Sequence, residues 1–204
     1  MKKPGVMIHD VIVDQRVELW NLEQGTQYEN CIVYGDGDPV RLNSVAFKKC
    51  TFVEVDFKRS EILDCLIENC DFSNIEFDDS YMYRVAFKNC KFLASSLFKC
   101  VVKDVLFSNN LMNYLNFSDN KVNDVTFENT QLVESSFQNL EHKNLVFADV
   151  KIDKADFTET KLSGLDLRKA DFTSISYSPR LAQGLTIRMD QGISLLAQFG
   201  IIVD

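Results

Sequence analysis

Residues 155–174 read ADFTETKLSGLDLRKADFTS, four groups of five that each carry a large apolar residue in third place. The same phase runs at every fifth residue from Leu42 to Tyr177 without an insertion. Of the 28 positions in this register 27 are large and apolar, and the exception is His142. The register also holds 14 of the chain's 16 phenylalanines. Such regularity over two thirds of the chain indicates a repeated structural unit.

A second register lies two residues earlier and holds small or β-branched residues such as Cys50, Val55 and Ser60. A period of five fits neither a helix (3.6), a strand (2) nor a coiled coil (3.5). Two inward residues in every five predict a chain that turns a corner every five residues. Four such sides close a square coil of 20 residues, whose backbone pairs with the coils about 4.8 Å above and below it. Residues 42–180 would form seven coils, a rod about 34 Å long.

This pattern resembles the pentapeptide-repeat family, whose consensus is Ala-Asp/Asn-Leu/Phe-x-x. Residues 155–159 (ADFTE) and 170–174 (ADFTS) match it, and residues 70–74 (CDFSN) and 55–59 (VDFKR) are close. The resemblance implies an all-β fold, a right-handed quadrilateral β-helix.

The two ends of the chain depart from the repeat. In residues 1–41, Ile12, Val17 and Leu22 keep the phase but Gln27 does not, so we expect an irregular cap or partial coils before the β-helix of residues 42–180. We expect residues 181–204 to form a capping and dimerisation module.

Within that module, a short apolar stripe predicts a helix over Gln191–Phe199. Asp190 suits its N-cap and Gly200 its C-cap. Residues 201–203 (IIV) read as a short strand.

Composition excludes several classes of partner. The formal net charge is −8 and the sequence pI is about 4.8, which argues against a direct nucleic-acid partner and an anionic membrane surface. The chain has no signal-peptide pattern and no run of 18 apolar residues. We expect a cytoplasmic location, where the six cysteines stay reduced.

The residues that invite a catalytic or metal hypothesis are better explained as structural. Five of the six cysteines lie in the inward register and no Cys-x-x-Cys pair is present, so small buried thiols are favoured over zinc. Cys31 falls outside the register. For His142 we favour a local bulge or a hydrogen bond to the backbone over catalysis, since a narrow coil has no room for a substrate.

We therefore expect no enzyme, no cofactor, no metal and no small-molecule substrate. Acidic side chains are plentiful, but a pair of catalytic carboxylates needs a pocket, which a convex rod does not build.

The square coil assigns each group of five to one of four faces. Face 1 starts at residues 45–49, face 2 at 50–54, face 3 at 55–59 and face 4 at 60–64, and each face recurs once in every coil. Their net charges are +1, −2, −4 and zero. Face 3, hereafter the acidic face, either keeps the rod in solution or binds a basic, DNA-binding partner. Its acidic residues are Asp56, Glu76, Asp78, Asp79, Asp119, Asp156 and Glu159.

Outward apolar residues collect in the middle coils, where isolated ones would mean little but a cluster would indicate a protein contact. The candidate contact residues are Tyr81, Tyr83, Phe98 and Tyr114.

The uninterrupted rod, the net acidity and the C-terminal segment GLTIRMDQGISLLAQFGIIVD (residues 184–204) resemble the Qnr and MfpA group of pentapeptide-repeat proteins. The resemblance implies a homodimer that looks like a rod of B-DNA, binds DNA gyrase or topoisomerase IV, and protects or modulates it against quinolones or toxins. The dimer contact would involve Ile193, Leu195, Leu196, Phe199 and Ile201.

Two features limit that expectation. The loops that interrupt the repeat in part of the group are absent, which places this chain nearer the loop-free branch. B-DNA carries about 20 charges in 34 Å, whereas residues 45–179 net −5, so mimicry would depend on shape and one stripe of charge. The alternative is an interaction scaffold with another protein partner.

Overall fold

The computed structural model describes residues 1–196, 199 and 201 as a parallel β-solenoid of about eight turns with one short helix near the C-terminus. Tyr81 pairs with Val101, Val101 with Lys121 and Lys121 with Glu141. Each pair is separated by four groups of five, as the predicted square coil requires. The prediction of an all-β pentapeptide-repeat solenoid is confirmed.

The strands of the described residues are short at the ends of the rod and longer in its middle. The first nine are β1 Asp10–Val13, β2 Arg16–Glu18, β3 Thr26–Glu29, β4 Ile32–Tyr34, β5 Pro39–Asn43, β6 Ala46–Lys48, β7 Thr51–Val53, β8 Asp56–Leu63 and β9 Leu66–Glu68. They are followed by β10 Tyr81–Lys88, β11 Val101–Ser108, β12 Lys121–Glu128, β13 Glu141–Ala148, β14 Val150–Lys151, β15 Ala155–Phe157, β16 Ala170–Asp171 and β17 Ile175–Tyr177. Two single 3-10 turns, Leu19–Asn21 and Pro179–Leu181, and the helix α1 Met189–Leu196 complete the chain.

The inward phenylalanines form the core of the rod. Phe87, Phe107, Phe127 and Phe147 are buried and stack on one another from coil to coil. Their ring centroids are 5.3, 4.8 and 5.5 Å apart, with interplanar angles of 5°, 9° and 11°. A single coil could not bury its apolar residues alone, so the core exists only because coils stack.

The corners explain why the period is five. From Ser44 to Glu159, the last residue of every group of five has a positive φ, between 47° and 62°. Asn and Asp tolerate this left-handed conformation better than other non-glycine residues, and they occupy more than half of these corners. Faces 4 and 1 run through their shared corner as continuous eight-residue strands, β10 to β13.

The first coils are irregular in length. Asp10 pairs with Thr26 and Gln27 pairs with Ala46, and both pairs are closer in sequence than a full coil of four groups of five. As a result, the inward residues lie one position later than the register of every fifth residue predicts. They are Tyr28 and Val33 instead of residues 27 and 32, and both are fully buried.

The first eight residues cross the coils on the outside of the rod, and we call them the strap. The Gly5 N–H donates to Asp64 Oδ1 at 2.8 Å and the Lys2 N–H to Asp104 Oδ1 at 2.5 Å. A Cβ at Gly5 would lie 3.0 Å from the Asp64 carboxylate oxygen, so glycine permits the close approach. Both aspartates lie at the corner between faces 4 and 1, one above the other along the rod.

The helix α1 begins at Met189, two residues before the predicted start, and the predicted N-cap role of Asp190 is wrong. Asp190 lies in the first turn and pairs instead with the Arg188 guanidinium at 3.1 Å. The Gln191 side chain reaches back to accept the Arg188 N–H at 2.8 Å, as the third helical residue does in a capping box. The predicted C-cap Gly200 and residues 202–203 of the predicted strand lie outside the described residues. Among the described helices, none is long and apolar enough to cross a membrane.

Candidate interaction surfaces

The acidic face is a straight ladder with carboxylates near its two ends. Backbone bridges link Glu76 to Ser96, Ser96 to Asn116, Asn116 to Ser136 and Ser136 to Asp156. Four coil spacings, about 19 Å, therefore separate Glu76 from Asp156. The outward residues between them are mostly uncharged hydroxyl and amide side chains.

The first acidic group consists of Asp56, Glu76, Asp78 and Asp79. Glu76 forms an ion pair with Lys58, and Asp78 Oδ1 accepts the Phe98 N–H at 3.0 Å. Asp56 Oδ1 accepts the Lys58 N–H at 3.0 Å. Asp79 is exposed, and its carboxylate has no hydrogen bond to any described residue. It is the member of this group that is most available to a partner.

The second acidic group lies toward the C-terminal end. Asp156 accepts the Thr158 N–H at 2.8 Å, and Glu159 accepts the Ser178 hydroxyl at 2.9 Å. Asp119, on the same corner as Glu159 and two coils away, accepts the Asn139 side-chain amide at 2.6 Å. Asp119 lies midway along the acidic face, two coils from Asp79 and two coils from Glu159, so six of the seven predicted acidic residues form two end groups and Asp119 stands alone between them.

The four candidate contact residues do not form one patch. Tyr81 and Tyr83 are neighbours on face 4, with ring centroids 6.5 Å apart. The Arg84 guanidinium lies 4.3 Å and the Lys103 ammonium 5.3 Å from the centre of the Tyr83 ring. Phe98 lies on the acidic face beside Lys99. Tyr114 is 58 % exposed at the corner between faces 2 and 3.

The helix α1 closes the C-terminal end of the rod through a residue that sequence reasoning missed. Gln191 is 2 % exposed, and its Nε2 donates to the carbonyl oxygens of Leu167 at 3.0 Å and Ala170 at 2.8 Å. The sequence holds only half of the capping-box signal, because Gln191 is the third helical residue but the residue before the helix, Arg188, is neither Ser nor Thr.

The residues predicted for a dimer contact divide between two environments. Leu195 packs against the core of the rod, and its carbonyl accepts the Tyr177 hydroxyl at 3.2 Å. Ile193 and Phe199 are more than half exposed, and Leu196 and Ile201 are also exposed. Met189, which sequence reasoning missed, is 94 % exposed.

The cysteine thiols are buried and engaged with the backbone. All six are free and buried. Burial raises the pKa of Cys65 and of Cys100 to about 12 and that of Cys90 to about 11. The Cys100 thiol donates to the Phe77 carbonyl at 3.2 Å, and that of Cys31 to the Glu29 carbonyl at 3.4 Å. Thiols protonated to this degree are poor nucleophiles and poor metal ligands.

His142 Nε2 lies 2.6 Å from the Lys161 carbonyl oxygen, to which it donates. This is the backbone hydrogen bond that the sequence favoured. Within residues 1–196, 199 and 201, no group of three or more His, Cys, Asp or Glu side chains is arranged to hold a metal ion.

Among solved structures, the chain is similar to full-length QnrB1, described as a plasmid-mediated fluoroquinolone resistance protein. The two are 17 % identical, the match covers 97 % of this chain and 100 % of that one, and the TM-score is 0.48. It is also similar to HetL, a pentapeptide repeat protein involved in heterocyst differentiation regulation from the cyanobacterium Nostoc sp. That match has 12 % identity, covers 89 % of this chain and 87 % of that one, and has a TM-score of 0.41.

A search of curated proteins gives no match. Two family models do match: the pentapeptide repeat region over residues 60–137, and pentapeptide repeats (8 copies) over residues 144–174. Together they span more than half of the chain, in the part where the structure repeats every five residues. The chain therefore belongs to the pentapeptide-repeat family.

Proposed function

We propose that this protein is a non-enzymatic binding rod that associates with a bacterial type II topoisomerase, DNA gyrase or topoisomerase IV, and modulates or protects it. The observation that carries the proposal is the acidic face. It is straight and regular, with carboxylates near both ends, and between them lie Asp119 and mostly uncharged polar side chains. An acidic face of this kind is complementary in charge to the basic surface on which a topoisomerase holds DNA.

The low net charge of the acidic face limits how closely it can imitate DNA. Most of its carboxylates accept hydrogen bonds within the rod, so they are held in place, and their net charge is far below that of a DNA backbone. The proposed complex therefore depends on the shape of the rod and on a few carboxylates such as Asp79. Their attraction to lysine and arginine would weaken as salt is added.

A homodimer is part of the proposal. The exposed apolar side chains of Met189, Ile193 and Leu196 lie on a helix at the very end of the rod, and Phe199 and Ile201 are exposed beside it. A second copy packed on this surface would cover them and double the length of the acidic rod. The resemblance of residues 184–204 to the C-terminal segment of the Qnr and MfpA group supports the same arrangement.

The test is a supercoiling titration of DNA gyrase, run with and without a fluoroquinolone. We expect the wild-type protein to inhibit supercoiling at low micromolar concentration or to rescue it from the drug. The variant Asp79→Lys should need several times more protein for the same effect, because it reverses an exposed charge on the acidic face. Its matched control is Asp149→Lys, which reverses an exposed charge at an equivalent corner between faces 1 and 2 (φ +59° and +56°). Equal potency of the two variants would contradict a role for the acidic face.

The alternative is an interaction scaffold for another protein. The intramolecular hydrogen bonds of Asp78, Asp156 and Glu159 favour it, because these bonds give the carboxylates a structural role without any partner. If the wild-type protein neither inhibits nor rescues gyrase or topoisomerase IV, the scaffold function is the one to pursue.

A further inference from the structure

The main-chain hydrogen bonds between coils are interrupted on faces 4 and 1 near the C-terminal end of the rod. Among the described residues, no main-chain hydrogen bond joins residues 141–149 to residues 161–169. On the opposite side the same two coils are paired, β14 with β16 and β15 with β17. The sheet that runs along faces 4 and 1 consequently ends at β13.

The cause is a change in the way the chain turns. Strand β13 passes through its corner as one extended strand, whereas the next coil forms turns at residues 163–164 and 168–169. Two coils of such different shape cannot keep one hydrogen-bond ladder. The His142 side chain compensates at one point, by donating to the Lys161 carbonyl.

A groove of about 730 Å³ lies on face 4 beside this interruption. Its exposed apolar side chain is Val101, which is 40 % exposed, whereas Val102 and Val122, which also line it, are buried in the core of the rod. The groove crosses from the coil of Val101 to the coil of Lys161, three coil spacings or about 14 Å. Lys103, one of its lining residues, lies over the Tyr83 ring.

Four lysines line this groove, and none of them makes an ion pair with a described residue. They are Lys103, Lys121, Lys143 and Lys161. Elsewhere on the rod Lys48, Lys58 and Lys88 are each paired with a glutamate. Glu141 and Glu159 are the acidic residues of the groove, so it carries an excess of positive charge on a protein whose net charge is −8.

Besides the lysines, the groove has a polar side chain, Asn123, with an unsatisfied hydrogen-bond acceptor. Its Oδ1 atom is buried and has no hydrogen-bond partner among the described residues, and Asn123 lines the groove. An unpartnered buried acceptor is costly, so a rotation of the Asn123 side chain that brings Oδ1 to the groove would let a ligand N–H satisfy it.

We propose that this groove binds an extended acidic peptide segment of a protein partner. The exposed Val101 side chain, the free ammonium groups and the unpartnered amide oxygen together match a peptide with acidic side chains, an apolar side chain and main-chain N–H donors. Lys121 and Lys161 lie in one column about 10 Å apart, and Lys103 and Lys143 in the next. About four extended residues span the groove, so one segment could reach all four lysines. Single-stranded DNA fits less well, because the residues that line the groove include no Phe, Tyr or Trp on which its bases would stack.

The test uses the full chain and fluorescence anisotropy at low ionic strength. The probe is a fluorescein-labelled ten-residue peptide in which glutamate and valine alternate. We expect saturable binding that weakens as salt is added. The variant Lys121→Glu/Lys143→Glu should raise Kd by about tenfold or more, because two attractions become repulsions.

The matched control is Lys49→Glu/Lys169→Glu, which changes net charge equally at two exposed lysines outside the groove. We expect it to change Kd less than threefold, and circular dichroism should show both variants folded. The proposal is overturned if the acidic peptide does not bind, if both variants lose affinity equally, or if a labelled ten-nucleotide single-stranded DNA binds more tightly than the peptide.

Discussion

At the scale of the residue, the side chain that matters most is the inward phenylalanine. Phe107 is fully buried and stacks between Phe87 and Phe127 in successive coils. Offset or stacked aromatic pairs contribute beyond the area that they bury. Phenylalanine is therefore repeated at this position because each ring packs against the ring of the next coil.

Replacing Phe107 with alanine should lower the free energy of unfolding by about 3–5 kcal/mol, because it leaves a cavity in the middle of the stack. Urea unfolding followed by circular dichroism measures the change. Tyr114→Ala removes a ring of similar size from an exposed corner and should cost far less. Comparable losses for the two variants would show that the stacked column is not the main source of stability.

At the scale of the element, the period of five predicted the coil, its length and its inward residues. This was possible because each corner and each buried side chain follows from the local repeat and can be read without knowing distant contacts. The sequence did not reveal features that depend on contacts across the rod. Asp64 and Asp104 look like ordinary corner residues, yet the strap buries them. Gln191 looks like a surface residue of a short helix, yet it docks that helix. The break after β13 also has no signal in the repeat, since the phase continues through it.

Stability should depend on the ionisation of Asp64, which both Arg84 and the strap contact. The Arg84 guanidinium, which binds both carboxylate oxygens, is the main cause that holds the pKa of Asp64 below its ordinary value, and the Gly5 N–H adds to it. Because the folded-state pKa is lower than the unfolded one, the stabilisation is present above about pH 4 and is lost as the pH falls through the folded-state pKa.

Asp64→Asn should therefore lower the free energy of unfolding by about 1–3 kcal/mol at pH 7, and the difference from wild type should shrink below about pH 4. Denaturant titrations at a series of pH values test this. Asp149→Asn, at an exposed corner of the same conformation, is the control and should have little effect. A difference for Asp64→Asn that does not change with pH would contradict the ionic role.

The attachment of α1 depends on Gln191. Gln191→Leu keeps the size of the side chain but removes the donors to Leu167 and Ala170 and the acceptor for Arg188. We expect a loss of about 1–3 kcal/mol and faster amide hydrogen exchange in residues 189–196. Ser194→Ala, which removes a bond within the helix itself, should leave exchange in the rod end nearly unchanged. Unchanged protection of α1 in Gln191→Leu would show that apolar packing alone holds the helix.

At the scale of the whole molecule, the rod has a closed core and outer surfaces that differ in charge and polarity. Its acidic face and its lysine-lined groove meet at Glu159, whereas the exposed apolar helix lies at the C-terminal end, so substitutions away from Glu159 change one surface at a time. Phe199 is 56 % exposed. Phe199→Asp should leave the coils folded but convert the proposed dimer to monomers, because a charge there opposes burial at an apolar contact. Light scattering gives the mass directly, and an intact dimer in this variant would rule out the contact.

The central claim is that the rod occupies the place of DNA on a type II topoisomerase. The most direct measurement is competition, in which a fluorescent DNA duplex is bound to DNA gyrase and displaced by the unlabelled protein, followed by anisotropy. We expect that the protein displaces the duplex, that Asp79→Lys displaces it less well than Asp149→Lys, and that added salt weakens the effect. Gyrase that retains its DNA at saturating protein would contradict the claim.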